Sequence, residues 1–465
     1  MASDLCNKDL LPTTLSGRTL SFIDFTLLWA GMTVNIAGFA IGAQLYPQLA
    51  PVSVLWAIFA AYMMVTLLLV LNGDMGIKYG ITFAVYMRAC YGYKGSWIPG
   101  LIRTIPCFFW FGFQTWVGAL ALDSVVSMLT GFSNLTLWIV LFGALQVVNA
   151  VYGLKAMAKF DLVAIPMLAI VFIAIFLWLL KSNDASFIAD ILYAPAENTY
   201  SMTFAIMGIA GGWITMALNS PDLTRQLKIK PQGNQGFVAR NTIPFAGQFL
   251  GLVLAGTLIL LVGLTSSILL GEWNPIDVVA KTFGPDKPMI LFICFITITF
   301  AQWSTNTAAN LMPPTYILLN SFPRLTYASA TVISGIIGLV IMPWKFCDYL
   351  VQFQVFSSSL LGPICGIMIA DYYLIRKMTL NVAELYKTDG MYTYANGFNP
   401  AAIITTVGAF VVGYFTPDYA FFVTFVIGLF GYVGLMKAMV LPRYEQNIGE
   451  EVFLNAEEST SEKVA

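Results

Sequence analysis

Apolar runs of about twenty residues recur from one end of this chain to the other, each long enough to cross a hydrocarbon core roughly 30 Å thick. Hydrophobic residues fill 58% of the 465 positions and charged residues only 10%, against roughly 25% charged in soluble domains. The sequence reads as an all-α polytopic membrane protein. Its net charge of -1 points to no partner, and no basic stripe suggests nucleic acid.

Twelve spans are expected, near residues 23–47, 52–72, 97–128, 134–152, 160–181, 202–220, 241–270, 288–312, 325–345, 349–376, 400–416 and 418–440. The connections are short, so no separate soluble domain is expected. Residues 1–22 read as a polar tail without a signal-peptide pattern. The acidic end after Leu441 (Glu445, Glu450, Glu451, Glu457, Glu458) reads as solvated and disordered.

Loop charge sets orientation, because Lys and Arg are retained on the cytoplasmic side. With the N-terminus inside, outer loops hold only Lys181, Lys281, Lys287 and Lys345, and the other nineteen of the 23 basic residues fall inside or at span ends. The expected location is a plasma membrane, a bacterial inner membrane, with both termini cytoplasmic.

Two spans carry small-residue interruptions: Asn35-Ile36-Ala37-Gly38 in the first, and Gly208-Ile209-Ala210-Gly211-Gly212-Trp213 in the sixth. Glycine weakens a helix by roughly 1 kcal/mol, and non-helical backbone at membrane depth is tolerated only where it lines a cavity or is buried in protein. Matched interruptions five spans apart point to a transporter with a midplane site. Spans one to five (23–181) and six to ten (202–376) overlay as inverted repeats, since five is odd. Spans eleven and twelve (400–440) lie outside, with a packing or oligomer role, and 441–465 forms the tail.

Ionisable groups are nearly absent from span centres; Asp24, Asp123 and Asp371 sit near span ends. The centres hold amides and indoles instead: Asn35, Trp110, Gln114, Trp213, Gln302, Asn306 and Asn310. A carboxamide offers a donor beside an acceptor, and flat bases stack on aromatic faces for about 1–3 kcal/mol each. The set suits a small, planar, uncharged heterocycle with lactam or ureide groups. Hydroxyls at Ser304 and Thr305, near the Ala301 carbonyl, would join carbonyls freed at the first interruption in an all-oxygen cage for a hard cation. The chain has no histidine, and its six cysteines show no close pairing, which makes an intramembrane enzyme or a metal cofactor improbable. A channel would differ in neither saturating nor accumulating solute.

Several stretches resemble the nucleobase–cation symporter family one, with hydantoin, allantoin and uracil transporters as relatives. They are Phe109-Trp110-Phe111-Gly112-Phe113-Gln114-Thr115-Trp116, Trp303-Ser304-Thr305-Asn306 through Asn310, Met342-Pro343-Trp344, and Gly362-Pro363 through Asp371-Tyr372-Tyr373. The resemblance implies two inverted five-helix repeats, discontinuous first and sixth helices, two extra helices, and alternating access. It implies that Trp110 and Trp213 stack on the substrate ring, and that Gln114, Asn310 and the Gly212 backbone bind its amide edge. It places sodium on the carbonyls of Gly31, Val34 and Ala301 and the hydroxyls of Ser304 and Thr305. Two departures stand out: Asn35 replaces a glutamine, and Gln354 replaces a leucine at the substrate's lid, which suits a more polar ligand than an aryl-substituted hydantoin. A proton-coupled permease for another nucleobase, vitamin or amino acid is the alternative.

Overall fold

The computed structural model describes residues 5–152, 154–229, 236–283 and 286–454. Among these, six helices are long and apolar enough to cross a membrane: Pro51–Tyr79, Trp97–Thr130, Ile165–Ser182, Phe237–Leu270, Pro343–Ile375 and Ala420–Val440. A bent pair, Phe22–Thr33 and Ala37–Gln44, makes a seventh. Five shorter apolar helices, Leu135–Val151, Met202–Leu218, Pro288–Phe300, Tyr327–Val340 and Pro400–Tyr414, complete a set of twelve. They fall in the expected order and are numbered here as spans one to twelve.

The packing has the symmetry of a repeat. Span one packs on spans five and seven, while span six packs on spans ten and two. Exchanging every span for the one five places away converts the first set into the second. Spans three and eight, which are exchange partners, pack on each other. Span twelve lies against spans ten and eleven, outside this relation.

Span one starts at a capping box in which the Ser21 hydroxyl accepts from the Asp24 N–H and the Asp24 carboxylate accepts from the Ser21 N–H. It is interrupted where expected. Val34 leaves the helical region (φ -77°, ψ 77°), Asn35 is extended, and the two halves bend by 48°.

The sixth span corrects the expectation about where its helix breaks. The helix Met202–Leu218 runs straight through Gly208–Trp213 and stops at Asn219, after which the short helix Ser220–Thr224 begins. The reason is Pro221, which has no N–H for the Ala217 carbonyl and cannot continue the ladder. The glycines serve close approach instead. A Cβ on Gly211 would lie 2.1 Å from the Gln354 carbonyl oxygen, and one on Gly212 would lie 2.3 Å from Gln354 Nε2. Small residues let span ten pass backbone to backbone against span six.

Two further expectations change. Span two extends to Tyr79 and carries Asp74, which is fully buried and holds the Arg240 guanidinium, the Asn241 amide and the Tyr372 hydroxyl. Asp371 is likewise buried, against Arg376, Tyr86 and Tyr432. The acidic end is not free at least as far as Leu454, because Glu451 pairs with Lys78 at 2.6 Å and accepts from the Tyr79 hydroxyl. Glu457 and Glu458 lie outside the described residues. Segments 5–20, 376–395 and 443–454 all pack on one face, tied together by contacts such as Arg18 to the Ile77 and Leu227 carbonyls and Tyr386 to the Leu10 carbonyl.

Candidate functional site

A cavity of about 50 Å3 lies between spans one, three, six, eight and ten. All seven residues expected to bind substrate line it: Asn35, Trp110, Gln114, Gly212, Trp213, Asn310 and Gln354. Met32, Tyr62, Thr215, Met216, Leu260 and Thr305 are also on its wall, and the described wall contains no charged side chain.

The interruption of span one shapes both the cavity and the oxygens beside it. In a continuous helix the Asn35 N–H would bond the Gly31 carbonyl and the Gly38 N–H would bond the Val34 carbonyl. Here the Asn35 N–H turns to the Thr33 carbonyl at 2.8 Å, and the Gly38 N–H to Asn35 Oδ1 at 2.9 Å. Asn35 Nδ2 donates to the Met32 carbonyl at 2.6 Å. Asn35 thus lines the cavity with both ends of its carboxamide engaged by the backbone of its own span.

The Gly31 carbonyl, deprived of its helical donor, accepts from the Thr305 hydroxyl of span eight at 2.7 Å. Gly31 and Thr305 therefore meet at one seam, and carbonyl and hydroxyl oxygens are the donors a small hard cation takes. The helix Pro288–Asn306 that carries Ala301 and Ser304 packs on the first half of span one; the side chains of Ala301 and Ser304 lie outside the described residues.

The indoles are held by other rings. Trp110 is 5% exposed and meets Phe109, Phe113 and Phe353 edge-on at 5.4, 5.6 and 6.0 Å between centroids. Trp213 is braced by Tyr62 and Trp29, each at 6.4 Å. Three polar atoms in the cavity wall are buried with no protein partner among the described residues: Trp110 Nε1, Gln114 Oε1 and Gln354 Oε1. Buried polar groups without partners are uncommon, so these open valences mark a place for a ligand with both donors and acceptors.

Asn310 reaches the cavity from a π-helical turn, Thr307–Leu311, inserted into span eight. Its Nδ2 donates to Asn306 Oδ1 at 2.8 Å. Such turns recur at functional sites, but no residue pattern in this stretch foretold it. Sequence reasoning also missed Tyr62, Thr215 and Phe353; an aromatic on span two facing Gly256 and Trp213 across the bundle leaves no local signal.

Side chains of spans three, six and ten bound the cavity toward the two faces. Toward the face carrying both termini, Arg103 of span three is 1% exposed, and its Nε donates to the Thr215 carbonyl of span six at 2.6 Å. That carbonyl belongs to the last turn before Asn219, where helical donors run out. Toward the opposite face, a wider vestibule lined by Gln44, Tyr46, Gln48, Tyr200, Trp273, Asp348 and Gln352 also includes Val351. Val351 and Gln354 lie on one side of span ten, so a single helical turn separates vestibule from cavity.

Residues 12–436 match the family of permeases for cytosine/purines, uracil, thiamine and allantoin. The hydantoin permease of Microbacterium maritypicum is 35% identical over 442 residues, covering 94% of this chain and 90% of that protein. The allantoin permease of Bacillus subtilis is 30% identical over 473 residues, covering 93% of each chain. The structure of Mhp1, a nucleobase-cation-symport-1 family transporter in a closed conformation with bromovinylhydantoin bound, superposes with a TM-score of 0.90 at 34% identity, covering 94% of this chain and 96% of that one. With the inverted-repeat fold and the uncharged indole-and-amide cavity already described, these likenesses establish that the chain belongs to the nucleobase–cation symporter family one and is a secondary transporter, not an enzyme.

Proposed function

We propose that the chain imports a small neutral planar lactam or ureide, of the kind represented by allantoin, uracil and hydantoin, in symport with sodium. One observation carries the reading: the cavity wall joins two indoles to four carboxamides and bears no charge. A charged substrate in a membrane interior calls for a counter-charge, whereas a flat neutral amide calls for ring faces and paired donors and acceptors. Trp110 and Trp213 stack on the ring. Gln114, Asn310 and the Gly212 backbone take its amide edge, Asn35 holds the span-one break in shape, and Gln354 covers the ligand from the vestibule side.

The coupling cation would be held by the carbonyls of Gly31, Val34 and Ala301 and the hydroxyls of Ser304 and Thr305, and supplies positive charge that ties span one to span eight. The meeting of Gly31 with Thr305 supports this. The face carrying both termini is the cytoplasmic one, as the distribution of Lys and Arg indicates, and the plasma membrane is the site of action. In this reading, vestibule and cavity are the outer approach, and Arg103 closes the inner one.

Competition of unlabelled hydantoin, allantoin, uracil, cytosine and adenine against one labelled ligand tests the substrate class, with a sodium titration alongside. Displacement by the ureides and tightening with sodium is the expected result. Uptake that follows pH and ignores sodium would transfer the function to the proton-coupled alternative; displacement by none of the five compounds would reject the substrate class outright.

A further inference from the structure

Behind Asn310 runs a chain of buried amides that no part of the transport reading uses. Gln146, on span four, is fully buried, although most of its helix is not: Val140, Leu141, Leu145 and Val148 are exposed. Its Nε2 donates to the Phe142 carbonyl at 3.3 Å and to the Thr115 hydroxyl oxygen at 3.1 Å. Its Oε1 accepts from Asn306 Nδ2 at 2.8 Å. Asn306 Nδ2 also lies 2.9 Å from the Phe111 carbonyl and 3.1 Å from Thr115 Oγ1. Asn306 Oδ1 then accepts from Asn310 Nδ2. Neither Gln146, Thr115 nor Asn306 touches the cavity.

The direction of this chain is forced from both ends. A carbonyl oxygen only accepts. The Phe111 carbonyl therefore demands Nδ2 from Asn306, and the Phe142 carbonyl demands Nε2 from Gln146. With Asn306 set that way, its Oδ1 faces Asn310, and Asn310 must answer with its Nδ2. The Asn310 side chain makes no other hydrogen bond among the described residues, so its Oδ1 is the atom left for the ligand.

We propose that Asn306, itself held by the Phe111 carbonyl and Gln146, is a positioning residue which locks the Asn310 carboxamide with its oxygen toward the cavity, so that this edge of the site requires an N–H donor on the substrate. A free Asn would rotate and accept either edge of a ligand; the relay removes that choice. Discrimination of this sort is strong where a buried polar group is otherwise left unpaired. The assignment rests on the ureide reading above, and the experiment separates the two.

Equilibrium binding is measured on the full-length protein in sodium buffer with hydantoin, with oxazolidine-2,4-dione, in which a ring oxygen replaces one N–H, and with 3-methylhydantoin, in which the other N–H is lost. In the unaltered protein at least one replacement should cost about tenfold or more in Kd, the scale of an unpaired buried group. In Asn306→Leu that cost should fall below about threefold, because Asn310 loses the acceptor that fixes it and regains both orientations. Asn306→Asp, whose protonated carboxyl can still donate to the Phe111 carbonyl and accept from Asn310, should restore it.

An Asn306→Leu protein that weakens hydantoin and both analogues by one common factor would show a merely structural role and overturn the assignment. So would a full penalty that persists in Asn306→Leu, or its absence in the unaltered protein. Failure of hydantoin, allantoin and uracil all to bind would instead reject the ureide reading, and this assignment with it.

Discussion

The Thr305 hydroxyl donates to the Gly31 carbonyl across the seam between spans eight and one, 274 positions apart in sequence. That carbonyl is available only because the Asn35 N–H has turned away to Thr33. A cation at this seam would replace the hydroxyl's proton contact with direct coordination by the same two oxygens. Thr305→Val keeps the volume and removes the oxygen. The sodium concentration that half-saturates substrate binding should rise several-fold, while affinity at saturating sodium changes less, since coupling between two sites is reciprocal. A sodium titration followed by tryptophan fluorescence measures both quantities. An unchanged midpoint would remove Thr305 from the cation site.

Trp110 and Trp213 differ in how they are held, and their removal should differ accordingly. Trp110 is wedged among Phe109, Phe113 and Phe353, so Trp110→Ala removes both a ring from the ligand and a plug from the aromatic cluster. Trp213→Ala, braced only by Trp29 and Tyr62 among the described aromatic contacts, should lose stacking with less loss of fold. Each should weaken binding by about tenfold or more, the scale of one stacked ring. Trp110→Ala should also lower the thermal midpoint measured without ligand, and Trp213→Ala should lower it less. Differential scanning fluorimetry on the two ligand-free proteins decides the comparison.

How much of this was readable beforehand depended on whether the cause was local. Asn35 breaks span one because it is itself extended and caps the second half-helix by accepting from the Gly38 N–H three positions on, and such a cap is legible in any helix. The Gly208–Gly212 run misled because glycine signals two different things, an unwound backbone and a close helix crossing. Only the position of span ten distinguishes them, and Pro221 is the residue that ends the helix. The pairing of Asp74 with Arg240 spans 166 positions, and Gln146 meets Asn306 across 160, so neither could be seen from spacing. Trp110, Gln114 and Asn310 were readable because polar and indole groups at mid-span are costly without a purpose.

Gly211 offers a stability test independent of any ligand. A Cβ there would sit 2.1 Å from a backbone oxygen of Gln354, and backbone cannot rotate aside as a flexible side chain does. Gly211→Ala should therefore destabilise the protein by roughly 1–3 kcal/mol, the cost of overpacking a tight contact, and should also displace Gln354 at the lid. Gly408→Ala on span eleven, where a Cβ meets nothing within 4 Å, serves as the control and should be neutral or slightly stabilising. Equal thermal midpoints for the two variants would contradict the close crossing of spans six and ten.

Docking of the segment after Leu441 should depend on pH. Burial raises the pKa of Glu451, but hydrogen bonds from Lys78 and Tyr79, together with the Lys78 charge, outweigh it and leave the carboxyl below its ordinary 4.5. A carboxylate with a depressed folded value stabilises the docked state at pH above that ordinary value, and the contribution is lost as pH falls through the lowered one. Hydrogen exchange in residues 443–454, corrected for intrinsic rates, should accelerate only in that acid window. Glu451→Gln should show the fast exchange already near neutral pH. Slow exchange in Glu451→Gln would mean that other contacts, such as Gln446 with Arg376 and Tyr394, hold the segment without it.

Arg103 closes the cavity toward the face carrying the termini, and the manner of closing predicts what opens it. Its guanidinium is fully buried and, among the described residues, no carboxylate forms an ion pair with it: Nε serves the Thr215 carbonyl, while the remaining nitrogens meet the sulfurs of Cys107 and Met216. Sulfur is a weak acceptor, so the arrangement is strained in electrostatic terms and held chiefly by one carbonyl that the end of the span-six helix leaves without a helical donor. Separating span three from span six would expose Cys107, which is now fully buried one turn from Arg103. In a protein with the other five cysteines replaced, Arg103→Leu should raise the rate of maleimide labelling at Cys107 several-fold, and external substrate should bind more weakly because the closed-inward population has shrunk. Arg103→Lys, which retains a donor for the Thr215 carbonyl, should fall between. Labelling in Arg103→Leu no faster than in the parent would show that the seal lies elsewhere, with Arg225 and Tyr316 the next contact to test.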